Sequence, residues 1–189
     1  MSLILICPKR VEDPRGWFSE TWNSKSFASA GIPVGFCQDN QSFSRSAGTL
    51  RGLHYQAPPF AQAKLVSCLR GRIFDVAVDI RRSSPTFGQW HGIELSAQSG
   101  RQLFIPAGFA HGFVTLEDDC IVGYKVDAHY SPSHDRALAW NDPQFAIDWP
   151  VSGDPILSDK DAQAPRLEEL TEEFPYDGVP LSRPREINL

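Results

Sequence analysis

Short segments in which apolar and polar residues alternate recur along the whole chain. In Arg72–Ile80, alternate apolar side chains fall on one face, while Asp75, Ala77 and Asp79 fall on the other. A period of two is typical of a half-buried strand, so we expect both aspartates to face solvent or, alternatively, the mouth of a barrel. Ile121–Asp127 repeats the pattern, and eight further segments are strand candidates: Leu3–Ile6, Gly16–Trp22, Gly35–Gln41, Thr49–Tyr55, Lys64–Leu69, Trp90–Leu95, Gln102–Ile105 and His111–Leu116.

Turn-forming residues separate these segments, since the chain has 14 glycines and 15 prolines. Many short strands with turns between them predict an all-β antiparallel sandwich or barrel. Helical signals are limited to Ser24–Ala30 and to a turn that Ser158 opens as N-cap, with Asp161 at its third position. A chain of 189 residues suits one domain, which we expect over residues 1–165. The acidic, proline-containing residues 166–189 are expected to form a loosely attached C-terminal extension.

Charge and cysteine spacing exclude several classes of protein. The formal net charge is -5 at pH 7, which argues against a nucleic-acid partner. No apolar run approaches the roughly 20 residues of a membrane helix, so no membrane partner is expected. The four cysteines are widely spaced and form no C-x-x-C pair, which favours reduced thiols in a cytoplasmic protein: Cys7, Cys37, Cys68 and Cys120.

Two glycine–histidine spacings resemble the signature motifs of the cupin superfamily, a small double-sheet jelly roll. Gly48 precedes His54 by six residues, and Gly100–His111 contains the second motif. Metal-binding cupins continue the first motif with a second histidine and a glutamate. Gln56 stands at that histidine position here, and Pro59–Ala61 covers the glutamate position. Two histidines make a poor transition-metal site, so the resemblance implies a cupin-type jelly-roll β-barrel with a few short helices and no metal.

Longer motifs follow in order over roughly Arg10–Pro165: Arg51–Gln56, Lys64–Val66, Phe74–Arg81, Ser84–Trp90, Ile105–Val114, Tyr124–Lys125, Trp140–Pro143, Asp148–Pro150 and Leu157–Asp161. These segments resemble the dTDP-4-dehydrorhamnose 3,5-epimerase family. The resemblance implies an isomerase without a cofactor, acting in dTDP-L-rhamnose biosynthesis. Its substrate would be dTDP-4-dehydro-6-deoxy-D-glucose and its product dTDP-4-dehydro-β-L-rhamnose. It also implies a homodimer that exchanges N-terminal strands.

The chemistry of such a reaction explains the residue types. A 4-keto group acidifies the protons on C3 and C5, so inversion needs a base on one face, an acid on the other and a cation for the enolate. By resemblance, His54 is the base and Asp161 the carboxylate that orients it. Lys64 matches the enolate-stabilising position, and Tyr124 matches the proton donor.

Ten further residues match substrate-binding positions of the family. Asp135 departs from the pattern, because the family has a glutamate there. The complete set is Arg15, Glu20, Gln38, Asp39, Asn40, Arg51, His111, Tyr130, Asp135 and Lys160.

Structural alternatives exist for the four catalytic candidates. His54 could be a hydrogen-bonded core imidazole, Asp161 a capping carboxylate, Lys64 an edge-strand lysine and Tyr124 a half-buried core ring. Three other functions remain open: an epimerase that inverts one carbon of a related dTDP-keto sugar, a non-catalytic cupin that binds nucleotide sugars, and a metal oxygenase.

Overall fold

A computed structural model describes residues 1–189 as thirteen strands and two short helices, α1 (Ser24–Ser29) and α2 (Asp159–Ala162). Neither helix is long and apolar enough to cross a membrane. The strands are β1 (Ile4–Cys7), β2 (Val11–Asp13), β3 (Gly16–Phe18), β4 (Gln38–Ser44), β5 (Leu50–Gln56), β6 (Lys64–Arg70), β7 (Arg72–Asp79), β8 (Trp90–Ser96), β9 (Gln102–Ile105), β10 (Phe109–Thr115), β11 (Cys120–Val126), β12 (Asp135–Ala137) and β13 (Arg185–Asn188).

The strands form two main sheets and a separate hairpin. One sheet has the order β13-β1-β9-β6-β11-β4, and the other has the order β12-β5-β10-β7-β8. Strands β2 and β3 pair only with each other. Every pairing within the sheets is antiparallel except β1 with β13. The predicted all-β double-sheet architecture is confirmed.

Three apolar clusters stabilise this arrangement. The inner cluster lies between the sheets and includes Val66, Leu103, Phe109, Phe113 and Val122. A second cluster covers the outer face of the five-stranded sheet, and it includes C-terminal side chains: Leu53, Val76, Val78, Phe145, Trp149, Leu167, Leu170 and Phe174. The third packs α1 and the following turn on the six-stranded sheet: Ile4, Ile6, Phe27, Ile32, Leu65 and Phe104.

The expectation that Asp75 and Asp79 face solvent is wrong, because both are fully buried. Strand β7 is covered on both faces: Val76 packs under the C-terminal segments, while Ala77 belongs to the inner cluster. Buried carboxylates need partners. Asp79 accepts hydrogen bonds from Arg81, at 2.8 and 2.9 Å, and from two hydroxyls, those of Ser84 and Thr86.

The expected loose attachment of residues 166–189 is also wrong. Leu167, Leu170 and Phe174 are buried in the outer cluster, since their apolar side chains fit the uncovered face of the five-stranded sheet. The buried Arg81 guanidinium donates to the Asp177 carboxylate and to the Val179 carbonyl, each at 3.1 Å. Further on, β13 extends the six-stranded sheet beside β1. The extension is therefore packed on the same folded unit.

Candidate active site

A cavity of about 290 Å³ lies between strands of the two sheets, and polar side chains dominate its lining. Ten of the fourteen site residues expected from the sequence line it. The lining residues are Asn40, Ser42, Arg51, His54, Tyr55, Gln56, Gln62, Lys64, His111, Phe113, Tyr124, Tyr130, Asp135, Ser158, Lys160 and Asp161.

A short polar contact in the cavity joins His54 to Asp161. Nε2 of His54 on β5 lies 2.5 Å from Oδ1 of Asp161 on α2, with the side chains 33% and 4% exposed. Helix α2 begins as predicted, because the Ser158 hydroxyl accepts a hydrogen bond from the Asp161 amide. Burial opposes ionisation, but hydrogen bonds from His54, Ser158 and the Gly52 backbone lower the pKa of Asp161 below its usual range. The carboxylate is thus held as an anion against an imidazole that the cavity can reach.

Close approach of two strands places His54 beside His111. The two residues are register partners on β5 and β10, and the register shifts next to them. Gly52 has a φ of +132°, and a Cβ there would lie 2.5 Å from the Gly112 Cα. A side chain at position 52 would therefore separate the strands that carry the two histidines.

His111 forms a second histidine–carboxylate pair, with Asp75. Its Nε2 lies 2.9 Å from Oδ2 of Asp75, and both side chains are buried. Burial lowers the pKa of His111, while the Asp75 charge opposes that effect. The other Asp75 oxygen, Oδ1, is buried without a hydrogen-bond partner. Sequence reasoning missed Asp75 as a site residue. Strand alternation placed Asp75 on the same face as Ala77, but only the structure shows that this face points inward.

Lys64 supplies a buried cation on the facing sheet. Its side chain lies at the start of β6, and Nζ donates to the His54 carbonyl at 3.2 Å. Burial lowers the pKa of Lys64 to about 8, although the nearby carboxylates of Asp75 and Asp135 raise it in part. The ammonium is therefore charged at neutral pH but close to titration.

Tyr124 lies on β11, next to β6 in the six-stranded sheet. Its ring packs against the inner cluster and lines the cavity. Burial raises the pKa of the Tyr124 hydroxyl, so the group keeps its proton at neutral pH. His54 and Tyr124 thus come from opposite sheets, with the cavity between them.

A charged group lies at the cavity rim. The Lys160 ammonium and the Tyr130 hydroxyl both donate to Oδ2 of Asp135, the latter at 3.3 Å. Deeper along β5, Arg51 is fixed by hydrogen bonds to the Ser44 hydroxyl at 3.1 Å and to a backbone carbonyl.

Four expected binding residues lie outside this cavity. Arg15 pairs with Asp13 at 2.6 Å on the exposed β2–β3 hairpin, and Glu20 accepts a hydrogen bond from Asn23. Asp39 faces away and accepts from Lys125 at 2.8 Å. Gln38 lies outside the cavity but holds the backbone of a lining residue, because its Oε1 accepts a hydrogen bond from the Tyr130 amide at 2.9 Å.

Gln56 occupies the position of a metal ligand in metal-binding cupins. Its amide donates to the carbonyls of Phe60 at 2.8 Å and His129 at 3.2 Å, and it accepts from the Ser131 amide at 2.7 Å. All three bonds fix loops at the rim. No group of three or more His, Cys, Asp or Glu side chains is placed to hold a metal ion.

Comparison with known proteins identifies the family. Residues 1–169 match the family model described as dTDP-4-dehydrorhamnose 3,5-epimerase. The chain belongs to this family. The epimerase family resemblance seen in the sequence motifs is therefore confirmed.

Relatives in the epimerase family match most of the chain. An enzyme from Sinorhizobium fredii with the same description is 52% identical over 172 residues, covering 91% of this chain and 88% of that protein. A crystal structure of the Bacillus anthracis epimerase with TDP and PPi bound has a TM-score of 0.85 and 51% identity, covering 87% of this chain and 93% of its own. The Legionella pneumophila enzyme in complex with dTDP-4-keto-L-rhamnose has a TM-score of 0.87 and 45% identity, covering 92% and 94%. The cupin-type fold expected from the motifs is confirmed.

Proposed function

We propose that this chain inverts C3 and C5 of dTDP-4-dehydro-6-deoxy-D-glucose, giving dTDP-4-dehydro-β-L-rhamnose. The observation that carries the proposal is the His54–Asp161 pair, 2.5 Å apart, in a cavity that Lys64 and Tyr124 line from the opposite sheet. Membership of the epimerase family supports the same substrate class.

His54 removes the proton next to the 4-keto group. Its Nε2 hydrogen bond to the ionised Asp161 orients the ring and stabilises the imidazolium that proton transfer creates. Negative charge then moves to the keto oxygen, where an enolate forms. The buried Lys64 ammonium stabilises that oxygen, because a fixed cation in a water-poor cavity is more effective than one in water.

Tyr124 returns a proton to the opposite face of the sugar. Its hydroxyl is protonated at neutral pH, and its strand belongs to the sheet facing His54. Removal on one face and return on the other inverts the carbon. The same pair of groups acts at C3 and at C5, because both carbons adjoin the keto group.

Other polar residues of the cavity bind the rest of the substrate. Arg51 and Lys160 supply positive charge for the diphosphate, and Asn40 adds an amide. We propose a cytoplasmic homodimer in which the exposed hairpin of β2 and β3 is exchanged. Such exchange would bring Arg15 and Glu20 to the nucleotide, and it accounts for their distance from the cavity of their own chain.

Deuterium uptake tests this function. The keto sugar is incubated with enzyme in heavy water, and exchange and inversion at C3 and C5 are followed by NMR. The proposal requires exchange and inversion at both carbons. A single exchanging carbon would indicate a one-centre epimerase, and binding without exchange would indicate a non-catalytic cupin.

A variant separates the base from binding. His54→Asn should reduce exchange at both carbons by about 10²–10⁴-fold while dTDP binding is retained. Turnover close to that of the unaltered chain would refute the assignment of His54. Sedimentation of the enzyme tests the homodimer.

A further inference from the structure

We propose that Glu172, in the C-terminal extension beyond the family-matched residues 1–169, is a positioning residue for the active site. It holds β5 and β12 together from the sheet face opposite the cavity, and so fixes His54 and Asp135 in place. The inference rests on the proposed function for its kinetic consequences, but its structural basis is independent of the substrate.

The Glu172 carboxylate bridges two neighbouring strands. Oε2 accepts a hydrogen bond from the Tyr55 hydroxyl at 3.0 Å, and Oε1 accepts one from Nε of Arg136 at 3.1 Å. Tyr55 on β5 and Arg136 on β12 are register partners. Each oxygen of one carboxylate therefore holds one member of a cross-strand pair.

Adjacent residues on the same strands face the cavity. Tyr55 lies along the cavity wall, but its ring packs in the outer cluster against Phe174. Side chains alternate along a strand, so His54 precedes Tyr55 on the opposite face, and Asp135 precedes Arg136 likewise. Arg136 also donates to the carbonyls of Ser133 at 2.9 Å and of Asp135 at 3.1 Å. Fixing the Arg136 guanidinium thus fixes the backbone that presents Asp135 to Lys160 and Tyr130.

Glu172 is itself held rigidly. Leu170 and Phe174 on either side are buried, and the Phe174 ring packs edge-on against Tyr55 with centroids 5.8 Å apart. The Glu172 side chain is only 16% exposed. Burial opposes ionisation, but backbone hydrogen bonds and the bonds from Tyr55 and Arg136 lower the pKa of Glu172. It is therefore an anion at neutral pH.

Loss of this bridge should loosen β12 more than the rest of the site. Strand β12 has three residues and lies at the edge of its sheet, so the ladder to β5 is short. Small displacements of reacting groups reduce catalysis strongly, up to about 10²-fold for 1 Å. Arg51 lies on β5 but outside His54–Gln56, the stretch that pairs with β12, and Asn40 lies on β4. Both are held by other contacts, so their contribution to nucleotide binding should change little.

The test compares Glu172→Ala with Glu173→Ala, an exposed glutamate one residue away. We expect kcat to fall about tenfold in Glu172→Ala, with the dTDP dissociation constant within about twofold of the unaltered enzyme. Glu172→Gln, which keeps one acceptor oxygen, should have a kcat between those of Glu172→Ala and the unaltered enzyme. Glu173→Ala should match the unaltered enzyme. Equal kcat in both alanine variants, or parallel loss of kcat and dTDP binding, would overturn the proposal.

Amide exchange provides a readout that does not depend on activity. The Leu53 and Leu138 amides each donate to the other's carbonyl, at 3.1 and 2.9 Å, next to the β5–β12 pairing. Both should exchange faster in Glu172→Ala than in Glu173→Ala, and unchanged exchange would refute the bridge. An enzyme with no epimerase activity before substitution would refute the proposed function instead, and amide exchange would still decide the positioning role.

Discussion

Raising the pH should switch off the enzyme through Lys64 while the fold remains intact. The ammonium is buried, and burial lowers its pKa to about 8. If Lys64 must be charged to stabilise the enolate, kcat/KM should follow its protonated fraction. Each pH unit above 8 lowers that fraction about tenfold, so we expect about one tenth of the plateau at pH 9. Tyr124 does not produce this limb, because burial raises its pKa above 10.0.

The direction in which Lys64 changes the free energy of unfolding distinguishes the loss of activity above pH 8 from unfolding of the chain. The pKa of Lys64 is lower in the folded chain than the ordinary lysine value of 10.5. Between about pH 8 and that value the unfolded chain binds more protons at this site, so the Lys64 contribution to the free energy of unfolding rises with pH. Lys64 therefore loses its catalytic charge in a range where its deprotonation favours the folded state.

The assay is kcat/KM from pH 6 to 9.5, with circular dichroism at each pH as the control for folding. Lys64→Met removes the titrating group at similar length. In this variant kcat/KM should be low at every pH and should show no decrease centred near pH 8. A flat profile to pH 9.5 in the unaltered enzyme, or the same limb in Lys64→Met, would refute the reasoning.

Three further predictions concern proton return, acid stability and metals. Tyr124→Phe should reduce inversion far more than solvent exchange, since His54 can return deuterium to the face it came from; equal loss of both, by NMR, would remove Tyr124 from the acid role. Asp161→Asn should lower the free energy of unfolding at pH 7 by about 2 kcal/mol, because a hydrogen bond to a charged group is lost. The pKa of Asp161 lies below 3.8 in the folded chain, so its contribution is present above that pH and lost below it. As the pH is lowered, the free energy of unfolding measured by denaturant melts should therefore fall less steeply in Asp161→Asn than in the unaltered chain. Dialysis against a chelator should leave the rate unchanged; loss restored by one divalent metal would show that the cupin motifs were misinterpreted.

Local signals predicted ten of the thirteen strands and both helix starts, because alternation and capping act within a few residues, but β2, β12 and β13 were not predicted. The Ser158 cap is an example: the structure places its hydroxyl on the Asp161 amide, as the sequence indicates. The Asp161 carboxylate itself does not close a capping box, since it contacts His54, 107 residues away along the chain. Only the motif resemblance connected these two residues.

Burial that depends on distant segments was not predictable in the same way. Alternation in β7 correctly separated two faces, but it could not show that the extension covers one of them and the other sheet covers the second. Asp75 and Asp79 are buried for that reason. The parallel pairing of β13 with β1 joins the two ends of the chain, and no local pattern specifies such a partner.

The two histidine–carboxylate pairs differ in a way that accounts for their proposed roles. His54 is 33% exposed and His111 only 8%, although they are register partners. Burial keeps the pKa of His111 low, so its ring is neutral at neutral pH and its Nε2–H donates a hydrogen bond to Asp75. Asp75 also raises the pKa of Lys64 against the effect of burial. The buried pair therefore supports the cation, while the accessible pair transfers the proton. The alkaline limit of the enzyme should accordingly depend on Asp75 as well as on Lys64.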